Sequence, residues 1–336
     1  MGIRNLNFVV NDDDDATART FGGTTMASNV YPWVVFLHAE KQCTRTNSPI
    51  FVKCTGVLID YNYVLAAAHC VHWNALQTQI CLGDDPGFQL VVKNQLKVFY
   101  GSNDITRANV VAVSKISVPS FFDYDKPEPR ENDIAVIKLQ HRLTIERDFV
   151  VPICLLNNPT FLQGQTVTAV GRALADPTSF FGMSGDDLNH LNEIQTEMVS
   201  NSYCQRLYSD LRMSYNKSSM ICGGVSKKGV LKGDCGGPLQ VEKNGVYYLI
   251  GLTITSFSAV EYRDIMPDAF TKVSQHCPFI AAHTQNKVHC LTNEYSVEEL
   301  QNCTKFYDKI LFEKYQKTCL FTDFVDGSTK NLCRYP

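Results

Sequence analysis

From Val34 to about Ile280 the chain alternates short apolar runs with clusters of turn residues. Val57–Ile59, Val64–Ala66, Leu96–Tyr100, Val110–Val118, Ile134–Leu139, Val167–Val170, Glu197–Val199, Leu239–Val241 and Tyr247–Ile254 are too short for helices and favour strands. Asn244-Gly245, between the last two, tolerates positive φ at both turn positions and predicts a two-residue hairpin. Many short strands without alternating helices predict an all-β sandwich or barrel. After residue 280 the pattern changes. Ser296-Val297-Glu298-Glu299 reads as a capping box, and Leu300, Cys303, Tyr307, Ile310 and Leu311 follow at near-helical spacing. An amphipathic helix is predicted over 297–316.

At 336 residues the chain fits two domains, or one large all-β domain with an appendage, and its 44% hydrophobic content supports a substantial core. The net charge of −3 comes with no long basic stretch, which argues against nucleic acid as a partner. No run approaches the roughly 18 apolar residues of a membrane helix. Met1–Val10 lacks the apolar core of a secretory signal, and Leu6 stands where a myristoylation signal needs Ser or Thr. The 13 cysteines nevertheless point to an oxidising compartment, so secretion is expected, with a signal lying outside this sequence. Asn216-Lys217-Ser218 and Asn302-Cys303-Thr304 are glycosylation sequons compatible with it. An odd cysteine count leaves at least one thiol unpaired within the chain. Asp12–Asp15 repel one another and predict a solvated acidic arm over 1–19. No metal or cofactor site is visible.

Three separated motifs carry candidate chemistry: Ala66-Ala67-Ala68-His69-Cys70, Asn132-Asp133-Ile134-Ala135-Val136, and Lys232-Gly233-Asp234-Cys235-Gly236-Gly237-Pro238-Leu239. Each alone is weak, since a lone histidine is more often packed than catalytic. Together and in this order they resemble the chymotrypsin/trypsin-like serine proteases (peptidase family S1), whose nucleophile loop reads Gly-Asp-Ser-Gly-Gly-Pro. Cys235 stands where that family carries serine. The resemblance implies two six-stranded antiparallel β-barrels with a cleft between them and a boundary near residue 155. It divides the chain into an acidic propeptide-like arm (1–19), a chymotrypsin-like domain (20–287) and a cysteine-rich helical tail (288–336).

By the same resemblance, His69 is the general base, Asp133 orients it, Cys235 is the nucleophile, and the backbone N–H groups of Gly233 and Cys235 form the oxyanion hole. Arg19-Thr20-Phe21-Gly22-Gly23, followed by Pro32-Trp33, resembles the activation junction. Cutting after Arg19 would pair the new ammonium of Thr20 with Asp234, although a hydroxyl there needs a partner that the family's apolar side chain does not. The implied disulfides are Cys54–Cys70 and Cys204–Cys222. Cys43–Cys81 is expected as an extra staple between surface loops, and Cys154 is expected to pair with the tail. Six cysteines (154, 277, 290, 303, 319, 333) would then form three bonds and leave Cys235 alone. The bond that ties the family's nucleophile loop to its specificity pocket is missing, with Leu231 at one of its positions.

Ile254-Thr255-Ser256 replaces the family's Ser-Trp-Gly, so Ile254 would leave Asp133 one partner short. Gly229 aligns with the pocket-base aspartate of trypsin-like enzymes and Val230 adds apolar surface, which favours a small or medium apolar residue before the scissile bond. Asp268 is either a pocket-wall carboxylate or a strand-end residue. A sulfur also crowds a hole shaped for a hydroxyl. The leading expectation is a secreted homologue with impaired or absent hydrolysis that binds a protease, inhibitor or surface partner. The alternative is an active endopeptidase in which His69 activates the Cys235 thiol. A third option is a secreted structural or venom-like component.

Overall fold

The computed structural model describes residues 24–25, 31–82, 89–126, 128–144, 150–157, 164–172, 191–224, 229–230, 233–243, 246–255 and 266–291. The acidic arm, the Arg19-Thr20 junction, Leu231, Ser256 and the helix expected over 297–316 lie outside them.

Twelve strands, numbered in chain order, build two barrels. The first contains β1 (Val34–Gln42), β2 (Pro49–Asp60), β3 (Tyr63–Ala66), β4 (Leu96–Tyr100), β5 (Asn109–Ser117) and β6 (Ala135–Leu139). They close in the order β1-β2-β3-β6-β5-β4, so no edge of this sheet is left unpaired. The second contains β7 (Thr166–Gly171), β8 (Asn192–Glu197), β9 (Met220–Gly223), β10 (Pro238–Lys243), β11 (Val246–Thr255) and β12 (Asp268–Lys272), in the order β8-β7-β10-β11-β12-β9. A bridge between Met198 and Gly223 brings its two ends together. The expected pair of six-stranded antiparallel barrels is therefore present.

The apolar pattern explains each strand. β4 buries alternate residues Leu96, Val98 and Tyr100 and leaves Lys97 outside, as a strand with one face on a core requires. β6 is buried at Ala135, Val136, Ile137 and Leu139, matching its apolar run. Lys243 pairs with Val246, so β10 and β11 run antiparallel as neighbours, while the expected turn residues Asn244 and Gly245 lie outside the described residues. One strand differs in extent: the run Glu197–Val199 marks the end of β8, which begins at Asn192 and gives way after Glu197 to the Met198 bridge.

The barrels meet through aromatic and polar contacts. Tyr31, Trp33 and Tyr247 cluster with ring centroids 5.4 to 5.8 Å apart, and Trp33 Nε1 donates to Gln240 Oε1 at 2.9 Å. Such ring pairs add about 0.5–1.5 kcal/mol each beyond their buried area. The buried Arg172, directly after β7, donates through its guanidinium to the carbonyls of Ser102 and Asn103 in the first barrel. The segment Cys154–Leu155, where the barrel boundary was expected, runs parallel to β11.

Four disulfides join described residues: Cys43–Cys81, Cys54–Cys70, Cys204–Cys222 and Cys277–Cys290. The last joins two of the six cysteines whose pairing the sequence left open. It holds the segment after the helix Cys277–His283, in which Leu291 lies parallel to Leu156. Of the tail cysteines expected to pair with Cys154, Cys290 is bonded to Cys277, and Cys303, Cys319 and Cys333 lie outside the described residues.

Candidate active site

His69 sits in the 3₁₀ turn Ala68–Val71, immediately after β3. The turn is pinned to β2 by the buried Cys54–Cys70 disulfide. Asp133 precedes β6 and is 1% exposed. Both of its carboxylate oxygens face His69: the backbone N–H of His69 donates to Oδ1 at 2.9 Å, and the ring Nδ1 meets Oδ2 at 2.6 Å. Proton ownership follows from chemistry, because a carboxylate only accepts and Nδ1 must carry the hydrogen. Nε2 is thereby left as the other ring nitrogen, 3.8 Å from Cys70 Sγ.

Asn132 adopts a left-handed φ of 57°, which asparagine tolerates better than most residues. Its side-chain oxygen lies 3.2 Å from His276 Nε2, and Thr271 Oγ1 donates to the Asp133 carbonyl at 2.8 Å. Side chains from β12 and its following turn thus hold the acid in place from the second barrel.

Cys235 lies on the turn before β10 and is partly exposed. It forms no disulfide among the described residues. It stands near enough to the imidazole of His69 to favour its charged form, and its carbonyl lies 3.6 Å from Cys70 Sγ in the histidine turn. Burial opposes charge on that imidazole, yet the Asp133 carboxylate and, after it, Cys235 hold its pKa well above the ordinary value. The turn requires glycine where the motif has it. Gly236 has φ +78°, and a Cβ there would sit 2.3 Å from the Thr55 carbonyl. At Gly237 a Cβ would meet the Val170 carbonyl at the same distance. The backbone N–H groups of Gly233 and Cys235 make no hydrogen bond among the described residues, whereas those of Gly236 and Gly237 donate to Thr253 and Asp234. A thiol, an imidazole with an oriented Nδ1–H and two N–H groups that meet no acceptor among the described residues therefore lie in adjoining turns.

The expected pocket residues are placed as follows. Gly229 and Val230 are buried, and the Val230 N–H donates to Asp268 Oδ2 at 2.8 Å. Asp268 is the first residue of β12 and 3% exposed, so its carboxylate serves the backbone of the pocket segment. Ile254 and Thr255 are buried at the end of β11. Among the described residues, both hydrogen bonds to the Asp133 carboxylate come from His69, and none from the strand carrying Ile254. Asp234 is buried beneath Gly171. Beside the imidazole, His72, Phe122 and Tyr124 form an aromatic wall with centroids 5.4 to 6.0 Å apart, and Arg130 stacks on Tyr124. Cys54, His69 and Cys70 have potential metal-ligand atoms within 4.8 Å of one another, but both sulfurs are committed to their disulfide.

Two contributors were not foreseen. Thr55 touches the nucleophile loop, and Arg172 supports Thr55. The available signals were a hydroxyl inside the buried run Cys54–Ile59 and a charge at the end of an apolar strand.

A family model described as Trypsin matches residues 20–280. The chain is 28% identical over 263 residues to the venom peptide isomerase heavy chain of Agelenopsis aperta, covering 76% of this chain and 96% of that protein. It is 26% identical over 265 residues to the venom serine protease Bi-VSP of Bombus ignitus, covering 77% and 66% respectively. It is 30% identical over 240 residues to Trypsin-1 of Astacus astacus, covering 69% and 88%.

Proposed function

Because this chain belongs to the trypsin family, we propose that it receives a protein or peptide partner in the cleft between its barrels and can take an acyl group onto Cys235, with completion of peptide hydrolysis impaired. The observation that carries the reading is the His69 imidazole, whose Nδ1 lies 2.6 Å from Asp133 and whose turn adjoins that of Cys235, together with the N–H groups of Gly233 and Cys235, which meet no acceptor among the described residues. In the first step the sulfur attacks a carbonyl carbon, His69 takes the thiol proton, and the carbonyl oxygen becomes an oxyanion facing the N–H groups of Gly233 and Cys235. Collapse of this adduct expels the leaving group, which takes the proton from His69 and leaves a thioester.

Impairment follows from fit. The longer C–S bond and larger sulfur displace the reacting atom, and a shift of about 1 Å can cost roughly a hundredfold. Ile254 offers Asp133 no hydrogen bond. The pocket segment, with Val230 buried and Asp268 holding its backbone, suits an apolar side chain rather than a cation. Four disulfides, and relatives whose names mark them as venom proteins, support secretion.

A second reading, a fully active endopeptidase with Cys235 as nucleophile and activation after Arg19, is favoured by the same His69–Asp133 geometry. The two are separated by incubating protein cut after Arg19 with a mixed peptide library. The proposed reading expects a stable thioester adduct on wild type with little turnover, and faster cleavage by Cys235→Ser. Rapid turnover by wild type, abolished in Cys235→Ala, would establish the second reading instead.

A further inference from the structure

Thr55 lies in β2, is fully buried, and sits 178 residues from the loop it touches. Its backbone N–H donates to the Cys235 carbonyl at 2.9 Å. Its hydroxyl lies 3.0 Å from the Gly233 carbonyl, to which it donates, and accepts the backbone N–H of Arg172 at 3.3 Å. A hydroxyl has one proton, the Gly233 carbonyl can only accept, and the Arg172 N–H can only donate, so the direction of both bonds is fixed. Arg172 is itself anchored by its guanidinium to the carbonyls of Ser102 and Asn103.

We infer that Thr55 is a positioning residue which sets the shape of the oxyanion loop. It grips the carbonyls of residues 233 and 235, on either side of Asp234, and so anchors the two residues whose own N–H groups, each on the peptide before the gripped carbonyl, must converge on one oxyanion. Gly233 has φ +108° and no side chain to resist rotation. Without the hydroxyl, the Gly233 carbonyl and the Arg172 N–H both lose a buried partner, and the loop is free to satisfy its carbonyl elsewhere by turning the peptide. The inference rests on the reading that Cys235 accepts an acyl group.

The test compares two reactions of the full chain at the same thiol. p-Nitrophenyl acetate acylates sulfur through an oxyanion adduct and releases nitrophenolate. Iodoacetamide alkylates sulfur by displacing iodide, with no oxyanion. Thr55→Val is expected to slow acylation by about tenfold to a hundredfold, approaching the loss of one oxyanion donor, while alkylation stays within about threefold. Thr55→Ser, which keeps the hydroxyl, should restore acylation. Should the valine variant fold poorly, Thr55→Ala gives the same comparison. Acylation of the valine variant at the wild-type rate, or an equal fall in both reactions with no rescue by serine, overturns the positioning role. Wild type that is alkylated but never acylated overturns the acyl-transfer reading itself, and the role of Thr55 with it.

Discussion

His69 presents two hydrogens to the two carboxylate oxygens of Asp133, one from its backbone and one from its ring. The double contact fixes both the position of the turn and the ring nitrogen that faces Asp133, so Nε2 is the nitrogen left for other partners. Orientation and electrostatics come from the same carboxylate.

Replacing Asp133 with Asn should expose that coupling in stability. Because the folded His69 pKa is raised, its proton stabilises the fold fully below the unfolded value of about 6.5, and this contribution is lost as pH rises through the folded value. Asp133→Asn removes the main cause of the raised value. The difference in Tm between wild type and variant should therefore be larger at pH 6 than at pH 9. In acylation at neutral pH the variant should lose about 10³- to 10⁴-fold, as expected when the base is held in the wrong tautomer.

Gly171→Ala should disturb the nucleophile loop from beneath. A Cβ at this position would lie 2.2 Å from Asp234 Oδ1 and 2.7 Å from its Cβ, and the backbone of β7 leaves no room to retreat. A loss of about 1–3 kcal/mol is expected in denaturant unfolding. Acylation of Cys235 should fall by more than its alkylation, because the loop moves as well.

Asp268→Ala should act on stability rather than on charge preference. The substitution leaves the buried Val230 N–H without the acceptor it has at 2.8 Å, with an expected cost of about 1–3 kcal/mol. Wild type should show no preference for Arg or Lys before the scissile bond. A measured basic preference that disappears in the variant would instead put the Asp268 carboxylate in contact with substrate.

Replacing Cys43 and Cys81 together with serine removes a bond closing 38 residues of sequence. The loss should be about 2–4 kcal/mol, and limited proteolysis should cut first near α1 (Ala75–Leu82), the helix that the bond fastens to the first barrel.

Much of the architecture was legible because short apolar runs with turn residues admit few alternatives, and the run at Leu96–Tyr100 coincides with β4. The end of β8 was less so, since pairing partners decide where a ladder stops and the run Glu197–Val199 carries no such information. His69, Asp133 and Cys235 could be selected because their motifs are local. Thr55 could not, because a β-branched residue in a strand has an ordinary local explanation and its contact is made 178 residues away. Arg172 was hidden by the opposite bias, since a charge normally marks an exposed position, whereas two backbone carbonyls accept this one in the interior. Asp268 had two local explanations, and only the placement of Val230 distinguishes its hydrogen-bonding role.

The contact of Thr55 with Gly233 joins a strand of one barrel to a loop of the other. Reactivity at Cys235 is consequently a property of the seam and not of either half. A slight loosening of the two halves, well short of melting, would silence the site reversibly, and anything that wedges or clasps the seam would act as a volume control on it.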